Sequence, residues 1–449
     1  MLVEHPRADA GGGALRERLR APRNLAVAAV SAVLLLLIGL QIAASISGFD
    51  GPLASLARDY VGTPKSMSVP WAGLILALVG VNARRRVIAV VAAIGIDAVY
   101  AALRLLDGKP FTVGNGPTIV LTALAVVAAV RWQGRERTDA LRAAALGALL
   151  VLATKVGDVW LHVTSAVRPS VLDEYLLLAD HALGDPSWVL GRVLEVLGPE
   201  VYGVLHWVYI ELPVAAIVVA VWQLRRVVPT GVWPTHYLVR TFLVLGLVGP
   251  LFYVIFPVVG PMFAFGADGH GFQVGDFWPS MLPAIDPSPA PLPFDEFTPR
   301  NCMPSMHTAW ALSLFIHTRR DVDGSRAPAW LRWGGAFWLT ATVAATLGFG
   351  YHYGVDLVAG AVLCLTVESA LRAPERGWGA FRVRMVGFGA AVFAGLLLSY
   401  RYLAVPMAEY PVLAGAVVLG LLAAVAALFH STWFAAAPSP VAEPVRVAG

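Results

Sequence analysis

Two segments in the second half of the chain combine residue types that could transfer a phosphoryl group. The first, RNCMPSMH at residues 300–307, comes immediately before an apolar stretch that predicts a helix. Pro304 suits the first turn of that helix, where an amide proton would have no intrahelical partner. The unpaired amides from Ser305 to His307, with the positive end of the helix dipole, would form a seat for a phosphate. His307 lies beside this seat and could donate a proton to a departing oxygen.

The second segment, GYHYGVD at residues 350–356, pairs a histidine with an acid. His352 and Asp356 are four residues apart and therefore lie on one face of a helix. The carboxylate of Asp356 can accept a hydrogen bond from Nδ1 of His352, which leaves Nε2 with the lone pair of a nucleophile. His307 or His352 alone is equally well explained as an interfacial histidine without a role. The two together favour one joint site.

The composition predicts which elements must position these residues. Of the 449 residues, 58% are apolar and 14% are charged, whereas an ordinary soluble domain has about 25% charged residues. Many windows of about 20 residues are almost entirely apolar, and this length crosses the hydrocarbon core of a bilayer. We therefore predict an all-α, polytopic membrane protein with about 12 transmembrane helices. The predicted spans lie near 25–46, 68–82, 87–106, 114–130, 140–163, 201–222, 237–257, 303–318, 334–350, 353–371, 385–402 and 411–430.

The basic residues predict the orientation, because loops on the cytoplasmic side hold most of the Lys and Arg. With the N-terminus in the cytoplasm, 24 of the 33 basic residues fall on the cytoplasmic side, and both histidines fall at the extracytoplasmic face. The positive charge therefore orients the chain and does not indicate nucleic-acid binding. Arg outnumbers Lys by 30 to 3, which is typical of a GC-rich bacterial genome and favours a bacterial cell membrane. Cys302 and Cys364 fall at different depths, so we expect no disulfide.

Two connections on the predicted extracytoplasmic side stand out. Apolar positions recur at helical spacing in 171–197, with Asp173 and Asp180 among the polar positions, which predicts an interfacial helix. Residues 258–302 form a long loop rich in proline and aromatic residues, which we expect to be a lid, with a flexible loop as the alternative. The predicted organisation is a cytoplasmic tail at 1–24, accessory transmembrane helices at 25–135, a catalytic core at 136–373, a transmembrane hairpin at 374–432 and a disordered tail at 433–449.

The two segments also carry a resemblance to a known family. Pro-Ser-x-His at 304–307, followed by His-x-x-x-Asp at 352–356, resembles the type 2 phosphatidic acid phosphatase superfamily. The segments 172–187 and 256–261 are similar to the branch of that superfamily that includes the fungal inositol phosphorylceramide synthases. The resemblance covers roughly residues 140–372.

The resemblance implies a fold and a role for each residue of the two segments. The fold would be a six-helix core that presents its site to the extracytoplasmic side. The residue that attacks phosphorus, and becomes a phosphohistidine, would be His352, with Asp356 orienting it. His307 would protonate the leaving group and then activate the incoming hydroxyl.

The cations that bind phosphate in that superfamily are not where its motifs place them. The region that matches the first motif, residues 258–262, has no basic residue, and Thr346 stands where an arginine is expected. Bidentate arginine contacts to phosphate are strong, so we expect a substitute. Arg300 is the first candidate and Arg168 the second, although a plain interfacial arginine explains each at least as well.

Two further residues are predicted to bind substrate. Ser305 belongs to the phosphate seat. Lys155 lies one turn from Asp158 in the predicted fifth span, so a structural ion pair between these two residues is the alternative to a substrate contact.

These features predict an integral membrane phosphotransferase or phosphatase that acts on lipid phosphate esters at the extracytoplasmic face, without a metal or cofactor. The reaction would be a double displacement, and the resemblance leans towards transfer of a head group such as phosphoinositol. The expected partners are a lipid phosphate or phospholipid substrate and the bilayer, and no oligomeric state is indicated. A membrane transporter and a catalytically weakened family member with a binding role are the alternatives. A metal-dependent alcohol phosphotransferase would need clustered Asp residues for divalent ions, which the sequence lacks.

Overall fold

The computed structural model describes residues 22–265, 287–292, 298–372 and 377–433, and it is built almost entirely of helices. In the first part of the chain, helices α1 to α6 run over Pro22–Ser47, Pro52–Val61, Ser68–Ala77, Ala83–Leu106, Asn115–Arg131 and Gly134–Val167, and a 3-10 turn at Leu78–Gly80 extends α3. In the second part, α7 to α19 run over Asp173–His181, Pro186–Leu197, Pro199–Ile210, Leu212–Leu224, Val227–Thr230, Leu238–Ile255, Pro261–Phe265, Met306–His317, Ala329–Gly348, Gly354–Leu371, Ala380–Tyr402, Ala404–Glu409 and Pro411–Trp433.

Eight helical stretches in the described part of the chain are long and apolar enough to cross a membrane. They are Val30–Ser47, Ala83–Leu106, Gly134–Val167, Leu212–Thr230, Leu238–Ile255, Gly354–Leu371, Ala380–Tyr402 and Pro411–Thr432. The chain is therefore a multi-pass membrane protein. The other four predicted spans each contain a helix, namely α3, α5, α14 and α15. The total of twelve crossings stays a prediction, because α14 has only 12 residues.

Two predicted helices are divided in the structure. Within the predicted span 201–222, α9 ends at Ile210 and α10 begins at Leu212. Pro213 explains the break, because in a continuous helix its ring would clash with the carbonyl group four residues earlier. The predicted interfacial helix at 171–197 is likewise two helices, α7 and α8, separated by a turn in which Asp185 has a left-handed backbone with φ of 53°.

The first and second parts of the chain share a packed interface. Helix α3 packs along α6 and also against α10. Ala72 and Leu76 of α3 are buried in one cluster with Ile217 and Leu224 of α10. The accessory helices are thus joined to the predicted catalytic core through buried apolar side chains.

Helix α16 is the central helix of the second part. Most of its residues are buried, in a cluster that also draws on α7, α12, α14, α17 and α19. Gly360 allows the start of α14 to lie directly on α16, because a Cβ at this position would be 2.3 Å from the carbonyl oxygen of Ser305. This close approach brings the two sequence segments of interest together at the N-terminal ends of α14 and α16.

The predicted lid is described only in part. Its beginning, including α13, and its end pack against the second part of the chain, and residues 266–286 and 293–297 lie outside the described residues. A two-residue strand, β1 (Ser170–Val171), pairs antiparallel with β2 (Ala290–Pro291) and ties the loop to the end of α6. Most of the predicted cytoplasmic tail and nearly all of the predicted disordered tail also lie outside the described residues.

Candidate active site

The turn between α15 and α16 holds His352 in a fixed position. The backbone amides of Tyr351 and His352 both donate to the carbonyl oxygen of Thr346, each at 3.2 Å. The carboxylate of Asp356 accepts the amide of Tyr353 at 2.9 Å and so caps the first turn of α16. The same oxygen, Oδ2, lies 3.5 Å from Nδ1 of His352. The two side chains therefore face each other at the helix start, and the orienting role of Asp356 stays a prediction.

A third side chain, which the sequence analysis did not select, lies between these two. The thiol of Cys302 donates to Oδ2 of Asp356 at 2.5 Å, and its sulfur is 3.4 Å from Nδ1 of His352. The exposed fractions of Cys302, His352 and Asp356 are 1%, 4% and 0%. Nothing in the spacing of Cys302 indicates this contact, because it arises only when the end of the loop meets the turn before α16. Cys302 and Cys364 are both free, as their different depths predict.

The electrostatics of His352 suit a nucleophile. Burial lowers the pKa of His352 to about 4, because the charged imidazolium is penalised away from water. The ring is therefore neutral at pH 7. Its Nδ1 edge faces Asp356 and Cys302, so a proton on Nδ1 leaves the lone pair on Nε2.

The start of α14 differs in detail from the prediction. Pro304 follows a cis peptide bond and precedes the helix, which begins at Met306 with Ser305 as its N-cap. The Ser305 hydroxyl accepts the amide of Thr308 at 3.3 Å, as an N-cap should. The Ser305 amide does not join the predicted phosphate seat, because it donates to the carbonyl oxygen of Asp356 at 3.2 Å. The amides of Met306 and His307 remain at the two positions where a helix offers no acceptor.

His307 lies in an aromatic setting at the same end of α14. Its ring is half-buried and stacks on Tyr209, with centroids 4.0 Å apart, while Trp310 meets it edge-on at 6.1 Å. Tyr351, the neighbour of His352, lies 5.3 Å from Tyr209. The structure thus brings His307 to the turn that carries His352.

Buried polar groups of α7 and α8 support this turn. Asp173 accepts the amides of Val259 and Gly260 and, at 3.0 Å, the hydroxyl of Tyr353. Burial raises the pKa of Asp173 to about 7. Asp180 accepts the amide of Val355 at 3.0 Å.

These contacts correct the prediction of a simple interfacial helix. Asp173 and Asp180 were expected among its polar positions, yet both are buried and face the helix start of α16. The hydroxyl of Ser187 donates to the carbonyl oxygen of His352 at 2.5 Å. The sequence signal for this supporting role is the spacing of Asp173 and Asp180, which are seven residues apart on a predicted helix beside a long loop.

The two arginines proposed as phosphate ligands lie where the lid meets β1. Arg300 is fully buried and donates to the carbonyl oxygens of Arg168, Leu292 and Thr298. Nε of Arg168 donates to the carbonyl oxygen of Val254 at 2.5 Å. Both side chains thus hold backbone segments, and their role as phosphate ligands stays a prediction.

Lys155 belongs to a charge cluster of the first part of the chain. Its ammonium is 2.8 Å from the carboxylate of Asp59, and both groups are buried. Asp158 instead pairs with Lys65 at 3.0 Å. The predicted ion pair between Lys155 and Asp158 is therefore wrong, because α2 and the connection after it supply nearer partners. Substrate binding by Lys155 stays a prediction.

The positions that lack the family's cations have structural roles. The hydroxyl of Thr346 donates to the carbonyl oxygen of Thr342 inside α15. Gly260 has a left-handed backbone with φ of 100°, and a Cβ there would be 2.3 Å from the carbonyl oxygen of Tyr351. The region that matches the first motif therefore lies against the turn of His352, although it brings no positive charge to it.

Comparison with known proteins agrees with this geometry. Residues 24–163 match a family model described as a domain of unknown function (DUF5933). No curated protein and no solved structure matches the chain. Residues 175–369, which run from α7 into the last turn of α16 and contain His307, His352 and Asp356, match the model of the PAP2 superfamily, whose members are generally phosphatases and phosphotransferases.

Proposed function

We propose that this chain is an integral membrane enzyme that transfers a phosphoryl group from a lipid phosphate ester to water or to an alcohol. The observation that carries the proposal is the setting of His352: a buried, neutral imidazole whose Nδ1 edge faces Asp356 at 3.5 Å. Its other nitrogen is left for chemistry, and His307 lies at the neighbouring helix start. The apolar helices suit a substrate that reaches the site from the bilayer.

The reaction would proceed in two displacements. Nε2 of His352 attacks phosphorus, the bond from phosphorus to the ester oxygen breaks, and a protonated His307 gives its proton to that oxygen. The positive charge that develops on the phosphorylated imidazole is stabilised by Asp356. In the second step His307 takes a proton from water or an alcohol, whose oxygen attacks phosphorus as the bond to Nε2 breaks. This scheme returns both histidines to their starting states.

The phosphate would be held by the start of α14. The amides of Met306 and His307 point out of the first helical turn, where an anion is favoured by the helix dipole. Arg300 and Arg168 remain the proposed cations, and they would have to exchange carbonyl contacts for the phosphate. Ser305 would act by capping the helix that carries the seat, and Lys155 would act only on a substrate long enough to reach the first part of the chain.

The resemblance to the superfamily suggests which membrane face and which head group to propose. We infer a site at the extracytoplasmic face and a preference for head-group transfer, with phosphoinositol as the first head group to test. The absence of a base at Thr346 and at residues 258–262 favours one alternative, a weakened family member that binds lipid phosphate without turnover.

A direct test is to incubate the purified protein in lipid nanodiscs with a panel of labelled phospholipids and lipid phosphates and to resolve the products by mass. Turnover should be accompanied by an alkali-stable, acid-labile phosphoprotein after rapid quenching in base. Turnover without that species would remove the covalent route. Lipid-phosphate binding without turnover would support the weakened family member, and uptake of an unmodified solute into vesicles would support a transporter.

A further inference from the structure

Cys302, His352 and Asp356 form a compact set of metal-ligand atoms that the proposed reaction does not need. One donor atom from each lies within 4.8 Å of the others. The sulfur of Cys302 is 3.4 Å from Nδ1 of His352, and Nδ1 is 3.5 Å from Oδ2 of Asp356. A thiolate, an imidazole and a carboxylate are the donors that Zn²⁺ prefers in proteins.

Two of the three distances between the donor atoms fit tetrahedral coordination. With bonds of about 2.0–2.3 Å, the ligand atoms of a tetrahedral Zn²⁺ site lie about 3.3–3.6 Å apart. The third distance, from the sulfur of Cys302 to Oδ2 of Asp356, is shorter at 2.5 Å and is bridged by the thiol hydrogen bond. An ion would displace that proton, since the thiolate is the form that binds metal. Ion binding would therefore lengthen the distance between the sulfur of Cys302 and Oδ2 of Asp356.

A second observation at Asp356 also favours a cation. Oδ1 of Asp356 is buried and has no hydrogen-bond partner among the described residues. A buried polar atom without a partner is costly, and a cation bound by both oxygens of this carboxylate would satisfy it. The surrounding backbone holds the donors in place, since Tyr353 donates to Asp356 and the amide of Cys302 donates to the carbonyl oxygen of Val258 at 3.0 Å. Such outer contacts orient metal ligands in known sites.

We propose that Cys302, His352 and Asp356 bind Zn²⁺ or a similar thiolate-binding divalent ion, and that the ion switches off His352. Coordination uses the lone pair of Nδ1, so the single proton of the neutral ring must lie on Nε2. A protonated Nε2 has no lone pair with which to attack phosphorus. Binding also releases the thiol proton of Cys302 to solvent. The site itself is independent of the proposed function, and only its inhibitory effect rests on it.

The binding test uses Cd²⁺, which reports thiolate coordination by an ultraviolet charge-transfer band. The Cys364→Ser protein keeps Cys302 as its only cysteine, and it should show the band with one ion bound per chain. Cys302→Ser should lose the band and bind Zn²⁺ at least about 10-fold more weakly by calorimetry. Glu211→Gln, which alters a half-buried carboxylate at the break between α9 and α10, should keep the band. Absence of the band in Cys364→Ser would overturn the site even if Cys302→Ser does not fold.

The activity test separates the site from the switch. Zn²⁺ should inhibit the wild-type protein with the affinity measured in the binding experiment, EDTA should restore turnover, and Cys302→Ser should need at least about 10-fold more Zn²⁺ for the same inhibition. Stoichiometric binding with unchanged turnover would overturn the switch. A protein with no turnover on any lipid would contradict the proposed function, and the binding experiment would still decide the site.

Discussion

Helices α14 and α16 carry two similar groups of side chains, one at each end. At their N-terminal ends lie His307 and His352 with Asp356. At their C-terminal ends lie His317 and Glu368, joined by His236 from the segment before α12. Both groups contain two histidines and a buried carboxylate, so residue type alone does not distinguish a reactive site from a structural one.

The hydrogen bonds distinguish them. Glu368 accepts the hydroxyl of Ser313 at 2.6 Å and faces Nε2 of His236 at 2.9 Å and Nε2 of His317 at 3.2 Å. Nδ1 of His317 is 3.0 Å from the amide nitrogen of Gln223, whose oxygen accepts the amide of Leu238. Gln223 must therefore donate to Nδ1, which places the proton of His317 on Nε2, towards Glu368.

Both ring nitrogens of His317 thus face polar partners within this group, whereas Cys302 and Asp356 face the Nδ1 edge of His352. The difference teaches that the partners of each ring nitrogen, rather than the number of histidines, distinguish the two ends of the helix pair.

The largest expected effect is the loss of the nucleophile. His352→Ala should lower turnover by on the order of 10⁴-fold or more and abolish the phosphoprotein, as removal of a covalent nucleophile does elsewhere. The matched control is His181→Ala, because His181 and Asp185 form another pair four apart, with Nδ1 2.9 Å from Oδ2. That variant should retain turnover within about twofold. Comparable loss in both variants would end the assignment of His352.

A smaller loss is expected for the proton donor. His307→Ala should reduce turnover of a lipid phosphate ester by about 10²–10⁴-fold. The loss should shrink to less than about tenfold with a nitrophenyl ester, because that leaving group departs without a proton. Equal losses for the two esters would show that His307 acts in some way other than acid catalysis.

A substitution at the C-terminal ends of α14 and α16 should lower the stability of the protein and leave its turnover nearly unchanged. Glu368→Gln leaves the histidine donors facing an amide, and breaking a buried pair of this kind costs about 3–5 kcal/mol in other proteins. The apparent midpoint of thermal unfolding should fall, while turnover per folded molecule stays within about twofold. Glu211→Gln, at the half-buried break between α9 and α10, is the control and should unfold near the wild-type temperature. A specific loss of turnover in Glu368→Gln would contradict the division between the two ends.

The smallest effect is expected for mild acid. Because burial lowers the pKa of His352 to about 4, the neutral, reactive form persists to lower pH than for an exposed histidine. With the nitrophenyl ester, turnover should stay nearly constant from about pH 7 to about pH 5 and fall only as the pH approaches 4, whereas an unperturbed histidine would lose it near pH 6.5. An acid limb centred near pH 6.5 would show that the ring of His352 is hydrated in the working enzyme.

Much of the local pattern could be predicted from the residues themselves. Helical spacing places Asp356 on the face of His352, and the apolar stretch after residue 305 requires a helix to begin there. The roles of Cys302, Asp173 and Asp180 could not be predicted in this way, since each depends on a contact between elements more than 50 residues apart. The partner of Lys155 was mistaken for the same reason: Asp158 is near in sequence, but Asp59 is near in space.

The amino-acid sequence alone determined that the chain crosses a membrane and that two histidines stand at helix starts, because apolar run length and helical periodicity are local properties. Only the tertiary structure decided which polar groups face each histidine, which acids support the turn of His352 and which thiol lies beside it. Those features depend on hydrogen bonds between buried polar groups of different helices, and these bonds form only when α7, α14 and α16 pack together.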